Sequence, residues 1–138
     1  MSSDDVVVRR HLPHPPEAVF DAWLDAKGLA EWMCAGAGHA TVELDARVGG
    51  KFRFVMHHGG RATEHLGEYL VIDRPGRLVF TWRSVNTDDR PSEVTVDFTP
   101  AHGGTDLVLT HRRLPPQQRA AHQQGWVEIL RKLAGILG

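Results

Sequence analysis

The chain has 138 residues, with 16 Lys and Arg against 17 Asp and Glu and a single cysteine, Cys34. That length suits one domain with a sizeable core, and the net charge of −1 gives no electrostatic case for nucleic acid or anionic lipid. One cysteine excludes an internal disulfide, which suits a reducing cytoplasm; the start MSSDDVVVRRHL has neither the apolar run nor the basic leader of a secretory signal, and no stretch approaches the roughly 20 apolar residues of a membrane span.

Residues 5 to 12 (DVVVRRHL) read as a valine-rich strand stopped by His14-Pro15-Pro16-Glu17. Proline near a first helical turn is tolerated, because that N–H has no helical partner. A helix follows with Val19, Phe20, Trp23 and Leu24 on one face. Asp25 is placed to cap a second, shorter helix carrying Leu29, Trp32 and Met33, and Ala35-Gly36-Ala37-Gly38 breaks it.

From His39 the period changes to two. Thr41 to Leu44 is a short strand, and Gly49-Gly50 a turn. In Lys51 to His57, Phe52, Phe54 and Met56 share one face. Gly59-Gly60 turns the chain into a strand over Thr63 to Asp73. There Leu70, Val71 and Ile72 run together, which points to a bulge. Arg74-Pro75-Gly76 reads as a turn in which proline presets φ and glycine accepts a positive one. Leu78, Phe80 and Trp82 alternate next, and Asn86 to Pro91 is polar loop. Val94, Val96 and Phe98 alternate, then Leu107, Leu109 and His111, and Leu114-Pro115-Pro116 ends the sheet. The last helix spans about Gln117 to Leu137, with Trp126, Ile129, Leu130, Leu133 and Leu137 as its stripe and Arg119, Glu128, Arg131 and Lys132 towards water.

Strands joined by tight turns are antiparallel neighbours. The expected architecture is α+β: a curved antiparallel sheet of about seven strands gripping the long C-terminal helix, with two short helices between strands one and two. The space between helix and sheet is either packed core or a hollow for an apolar guest.

The segments PPEAVFDAWLDAKGLAEWM, VGGKFRF, HLGEYLVIDRPGRLVFTW, GGTDLVLTH and HQQGWVEILRKL stand in this order along nearly the whole chain. Together they resemble the START-like, or SRPBCC, helix-grip proteins, and among them the subgroup related to the activator of the heat-shock-protein ATPase. The resemblance implies an elongated cavity between sheet and C-terminal helix. The superfamily includes lipid carriers, polyketide aromatases and cyclases, and co-chaperone domains, so it implies no single activity. Many relatives carry paired tryptophans where this chain has Trp32-Met33-Cys34, a departure at the cavity mouth.

Candidates for the cavity lining are Trp32, Met33, Phe54, Met56, Phe80, Trp82, Phe98, Leu109, His111, His122, Trp126 and Leu130. For the tryptophans the alternative is core filling, which is the reading for Trp23. His111 shares the face of Leu107 and Leu109. It is a candidate for proton transfer, as a glutamate in the cavity would be, against the favoured reading of a satisfied histidine at the sheet's end. His122 lies four residues before Trp126, on the same helix face, or is a solvated first-turn residue. His57, His58, His65 and His111 show no metal-ligand spacing, so no metal is expected, nor any cofactor. Glu64, Glu68 and Arg53 read as strand surface, and Cys34 as packing.

An empty apolar void costs about 24 cal/mol per Å³, so a pocket of about 300 Å³ would cost on the order of 7 kcal/mol. That rivals the whole stability of a domain, about 5–15 kcal/mol. A large hollow here should be wet, occupied or partly collapsed. The first reading is binding of a small apolar or aromatic molecule. The alternatives are an aromatase or cyclase acting in the same cavity, and a co-chaperone-like interaction domain. A homodimer and a chaperone partner stay open, and no strong catalytic signature is present.

Overall fold

The structure, a computed structural model, describes residues 5–138. Residues 1–4, part of the start read for a leader, lie outside the described residues.

The elements are β1 (Val6–Leu12), α1 (Pro16–Ala22), α2 (Ala26–Trp32), β2 (His39–Leu44), β3 (Lys51–His58), β4 (Arg61–Asp73), β5 (Arg77–Trp82), β6 (Ser92–Ala101), β7 (Gly104–Arg112) and α3 (Arg119–Leu137). All neighbouring strands are antiparallel, in the order β1-β7-β6-β5-β4-β3-β2. The curved open sheet follows the hairpins in sequence, except that β1 closes against β7. The α+β helix-grip architecture is as expected.

Alternation decides which residues point inward. Val6, Val8 and Leu12 of β1, Leu78, Phe80 and Trp82 of β5, and Val94, Val96 and Phe98 of β6 are buried against the helices. The bulge expected in β4 is a register shift between Tyr69 and Val71. It lets Tyr69 stay inward while Leu70 and Val71 are exposed together. Gly59 and Gly60, at φ +59° and +75°, turn β3 into β4 in a conformation that side chains resist. Gly67 has another use: a Cβ there would collide with the Phe52 ring and the Thr81 carbonyl, so its bareness lets Phe52 lie flat across the sheet.

Five expectations are corrected. Asp25 occupies the N-cap of α2, but its side chain makes no capping hydrogen bond. Gly76 does not take a positive φ; the Arg74–Pro75 peptide is cis and makes the turn itself. The polar loop after β5 contains a single 3₁₀ turn, Val85–Thr87, held by a reciprocal capping box between Ser84 and Thr87. The last helix begins with a 3₁₀ turn at Pro116–Gln118, and its α-helical part starts at Arg119. Lys132 does not project into water. Its Nζ donates to the carbonyls of Cys34 at 2.7 Å and Gly38 at 3.0 Å, tying α3 to the segment that follows α2.

Candidate functional site

Aromatic rings fill most of the space between sheet and helices. Trp23 meets Trp32 edge to face at 4.9 Å, Phe52 stacks on Phe54 at 4.5 Å, and Phe20 meets Phe98 at 5.2 Å. What remains at the centre is a void of about 10 Å³ walled by Trp23, Met33, Phe52, Phe54, Tyr69 and Phe80, which costs only about 0.2 kcal/mol. The long hollow is therefore largely collapsed into core, as the cost of an empty one requires.

Room survives at one end. A cleft of about 220 Å³, open to solvent, lies between the first half of α3 and the ends of β3, β4 and β5. Met56, Trp82, Trp126 and Ile129 supply its apolar walls; His58, His65, Asn86, Gln118 and His122 supply polar atoms. Trp82 and Trp126 meet there with ring centroids 5.2 Å apart. Gly125 also faces this space, and a Cβ added to it would touch nothing within 4 Å.

A larger hollow of about 680 Å³ sits beside it, lined by residues 35–39 and 57–62. Its walls are mainly glycine, alanine and histidine, and they offer no large apolar side chain and no indole for a guest to pack on. His39 stacks on His57 at its edge at 4.9 Å, and His57 Nε2 is hydrogen-bonded to Thr41 Oγ1 at 3.0 Å. Among the described residues no group of three or more His, Cys, Asp or Glu could hold a metal ion.

Behind the cleft runs a directional chain of hydrogen bonds. The indole Nε1–H of Trp126 donates to His111 Nδ1 at 3.0 Å. An indole only donates, so Nδ1 carries the lone pair and the proton sits on Nε2. His111 Nε2–H then donates to Ser92 Oγ at 2.7 Å, and the Ser92 hydroxyl donates to the Trp82 carbonyl at 2.5 Å. His111 is fully buried, and burial pushes its pKa down to about 3, helped by His122 nearby. In this arrangement its one lone pair is already committed to Trp126.

His122 sits on the cleft side of this chain, its ring edge-on to His111 at 5.2 Å. Its Nδ1 is 2.8 Å from the Gln118 carbonyl, which can only accept. Neutral His122 therefore keeps a lone pair on Nε2. Burial lowers its pKa, opposed by that backbone bond. On the facing wall His65 is 6% exposed, packs on Trp82 at 4.7 Å, and has a buried Nδ1 without a hydrogen-bond partner. Burial lowers its pKa to about 4.

Of the residues singled out from the sequence, Met56, Trp82, His122 and Trp126 come together around the cleft. Met33, Phe54 and Phe80 border the small central void instead. Trp32, Phe98, Leu109, His111 and Leu130 are buried and line neither space. Glu64 and Glu68 are outside the cleft, and Glu64 accepts from Arg53 Nε on the outer face of the sheet. His65, Gly125, Asn86 and Ile129 were not anticipated as site residues. The inward phase of His65, two positions from Gly67 and four from Tyr69 on β4, was the available signal.

Residues 13–138 match the family model described as Activator of Hsp90 ATPase homolog 1-like protein. The chain belongs to this family. The fold agrees with its helix-grip superfamily, whose members commonly bind hydrophobic ligands. Solved structures of similar proteins include the AHSA1 protein of Silicibacter pomeroyi, 31% identical, with a TM-score of 0.82 and 96% of each chain covered. Protein CV1439 of Chromobacterium violaceum is 27% identical, with a TM-score of 0.90 over 98% of this chain and 97% of that one. CalU16 of Micromonospora echinospora, 24% identical with a TM-score of 0.74 over 95% of this chain and 74% of that one, shares the fold. No curated protein matches the chain.

Proposed function

We propose that this family member binds a small apolar or aromatic molecule in the cleft between the sheet and α3. The observation that carries the reading is the pair of indoles, Trp82 and Trp126, facing about 220 Å³ of open space at the end of an otherwise filled interior. Aromatic walls with a few polar groups suit a flat apolar guest. At the packing density of an organic liquid, about 0.6, that space holds roughly 130 Å³ of matter, the size of about two fused aromatic rings.

Catalysis of the aromatase or cyclase type has less support. No Asp or Glu lines the cleft among the described residues, and His111 is shielded behind Trp126. A co-chaperone role rests on the family description alone, and stimulation of a chaperone ATPase by added protein is its test.

The binding reading is tested by calorimetry and tryptophan fluorescence against a panel of one- to three-ring aromatics and short lipids. At least one compound should bind and change the emission. Gly125→Leu, which pushes a side chain into the cleft, should abolish that binding while leaving the fold intact. Silence across the whole panel, or full binding by the blocked variant, overturns the reading.

A further inference from the structure

We infer that His122 makes the cleft selective for a neutral aromatic ligand bearing a hydrogen-bond donor, a phenol-type hydroxyl or ring N–H, over the bare hydrocarbon and over the matching carboxylate. The inference rests on the binding reading above and adds the chemistry of the guest.

Three observations support it. The first is the fixed tautomer. The bond from His122 Nδ1–H to the Gln118 carbonyl leaves Nε2 as an acceptor, and no described residue bonds to it. The ring cannot flip without losing that bond, and His111 holds its flank. The second is the facing wall. His65 is nearly buried there, packed on Trp82 and neutral, with its Nδ1 out of reach of the cleft, so this wall brings no cation to the guest. The third is what the walls lack. Among the described residues the titratable groups lining the cleft are His58, His65 and His122, and no Lys or Arg lines it. A carboxylate entering would lose water without gaining a cation, which is unfavourable. A hydroxyl would keep one hydrogen bond and lose little.

The burial that holds His122 and His65 neutral acts in the same direction, since a protonated imidazole would draw an anion instead.

The test is a ligand series of one shape: naphthalene, 2-naphthol and 2-naphthoate, titrated at pH 7.5 into the wild-type protein, His122→Phe and Gly125→Leu. The expected order is 2-naphthol tightest, about threefold to tenfold over naphthalene, the range of one net hydrogen bond, with 2-naphthoate weakest. His122→Phe should equalise naphthol and naphthalene while keeping both bound. Nitrogen NMR of His122 supplies a readout independent of the variants: the Nε2 resonance should shift with naphthol and stay with naphthalene. Equal affinities in the wild type, or naphthoate as the tightest ligand, overturn the inference and leave the binding reading standing. Failure of all three while other panel members bind overturns the inference alone, and failure of the whole panel overturns both.

Discussion

Trp126 on α3 donates its indole N–H to Nδ1 of His111 on β7 over 3.0 Å, in a site where both side chains are almost completely buried. One bond joins the last helix to the last strand and also fixes the proton on the far side of the imidazole. Replacing Trp126 by Phe removes the donor and keeps most of the apolar ring. The expected cost is about 2 kcal/mol, because His111 Nδ1 is left buried and unpaired. Urea unfolding should show a lower midpoint with an unchanged slope. A double-mutant cycle with His111→Phe should give non-additive losses, since the two residues share the bond.

Acid should destabilise the fold before most carboxylates titrate. His65 and His111 are neutral in the folded protein, with pKa values lowered to about 4 and about 3, against 6.5 when unfolded. Above pH 6.5 neither state takes up these protons and stability is full. As pH falls below 6.5, the unfolded chain binds protons that the folded one refuses, so stability drops. Each imidazole contributes a slope of about 1.4 kcal/mol per pH unit, which ends near pH 4 for His65 and near pH 3 for His111. Urea midpoints measured between pH 7.5 and 4.5 check this, and His65→Phe should flatten the profile.

Tyr69 carries a buried hydroxyl with no partner, beside the small central void. Burial also raises its pKa above the ordinary range. Tyr69→Phe removes an unsatisfied group without removing the ring, so the variant should be more stable by about 1 kcal/mol. Thermal and urea unfolding check the sign; a clear loss would mean that the hydroxyl holds an internal water.

Lys132 donates to two carbonyls beyond α2, those of Cys34 and Gly38. Lys132→Met keeps the stem and loses the charged donor. The expected loss is about 1.5 kcal/mol, for hydrogen bonds from a charged group on a half-buried side chain. The sharper readout is Cys34, which is fully buried with a thiol pKa raised mainly by that burial. Its reaction with a thiol reagent should speed up in the variant, because the segment around it is no longer held.

Gly67→Ala should be damaging out of proportion to its size. The added methyl collides with the Phe52 ring and with a backbone carbonyl that cannot step aside. A cost of about 1–3 kcal/mol, read from unfolding, is expected, as for other overpacked sites.

Much of this fold is legible from residue phase. Phe52, Phe54 and Met56, then Leu78, Phe80 and Trp82, fall at period two on the core face of their strands, although Val55 and Val79 between them are buried as well. The broken alternation at Leu70 to Ile72 marks the β4 irregularity. What phase cannot supply is volume. The inward aromatics are the same whether they line a hollow or fill it, and their interdigitation leaves about 10 Å³ at the centre and space only at one end. Long polar side chains are the other blind spot. Lys132 falls on the outer arc of its helix by spacing, yet its stem reaches back across to Cys34 and Gly38. His111 was legible as inward, but the indole that occupies its lone pair comes from another element, and sequence spacing carries no sign of it.

The run from Trp126 through His111 and Ser92 ends on the backbone of Trp82, so the two indoles that meet in the cleft wall are riveted together at the rear. The helix cannot lift as a lid without breaking the Trp126–His111 bond, the one buried link of the three that crosses from helix to sheet. Traffic is confined to the front porch, where Asn86, Gln118 and His58 meet water. The exchange rate of a guest should accordingly follow rotamer jumps at that doorway and be indifferent to how firmly the helix is anchored behind it.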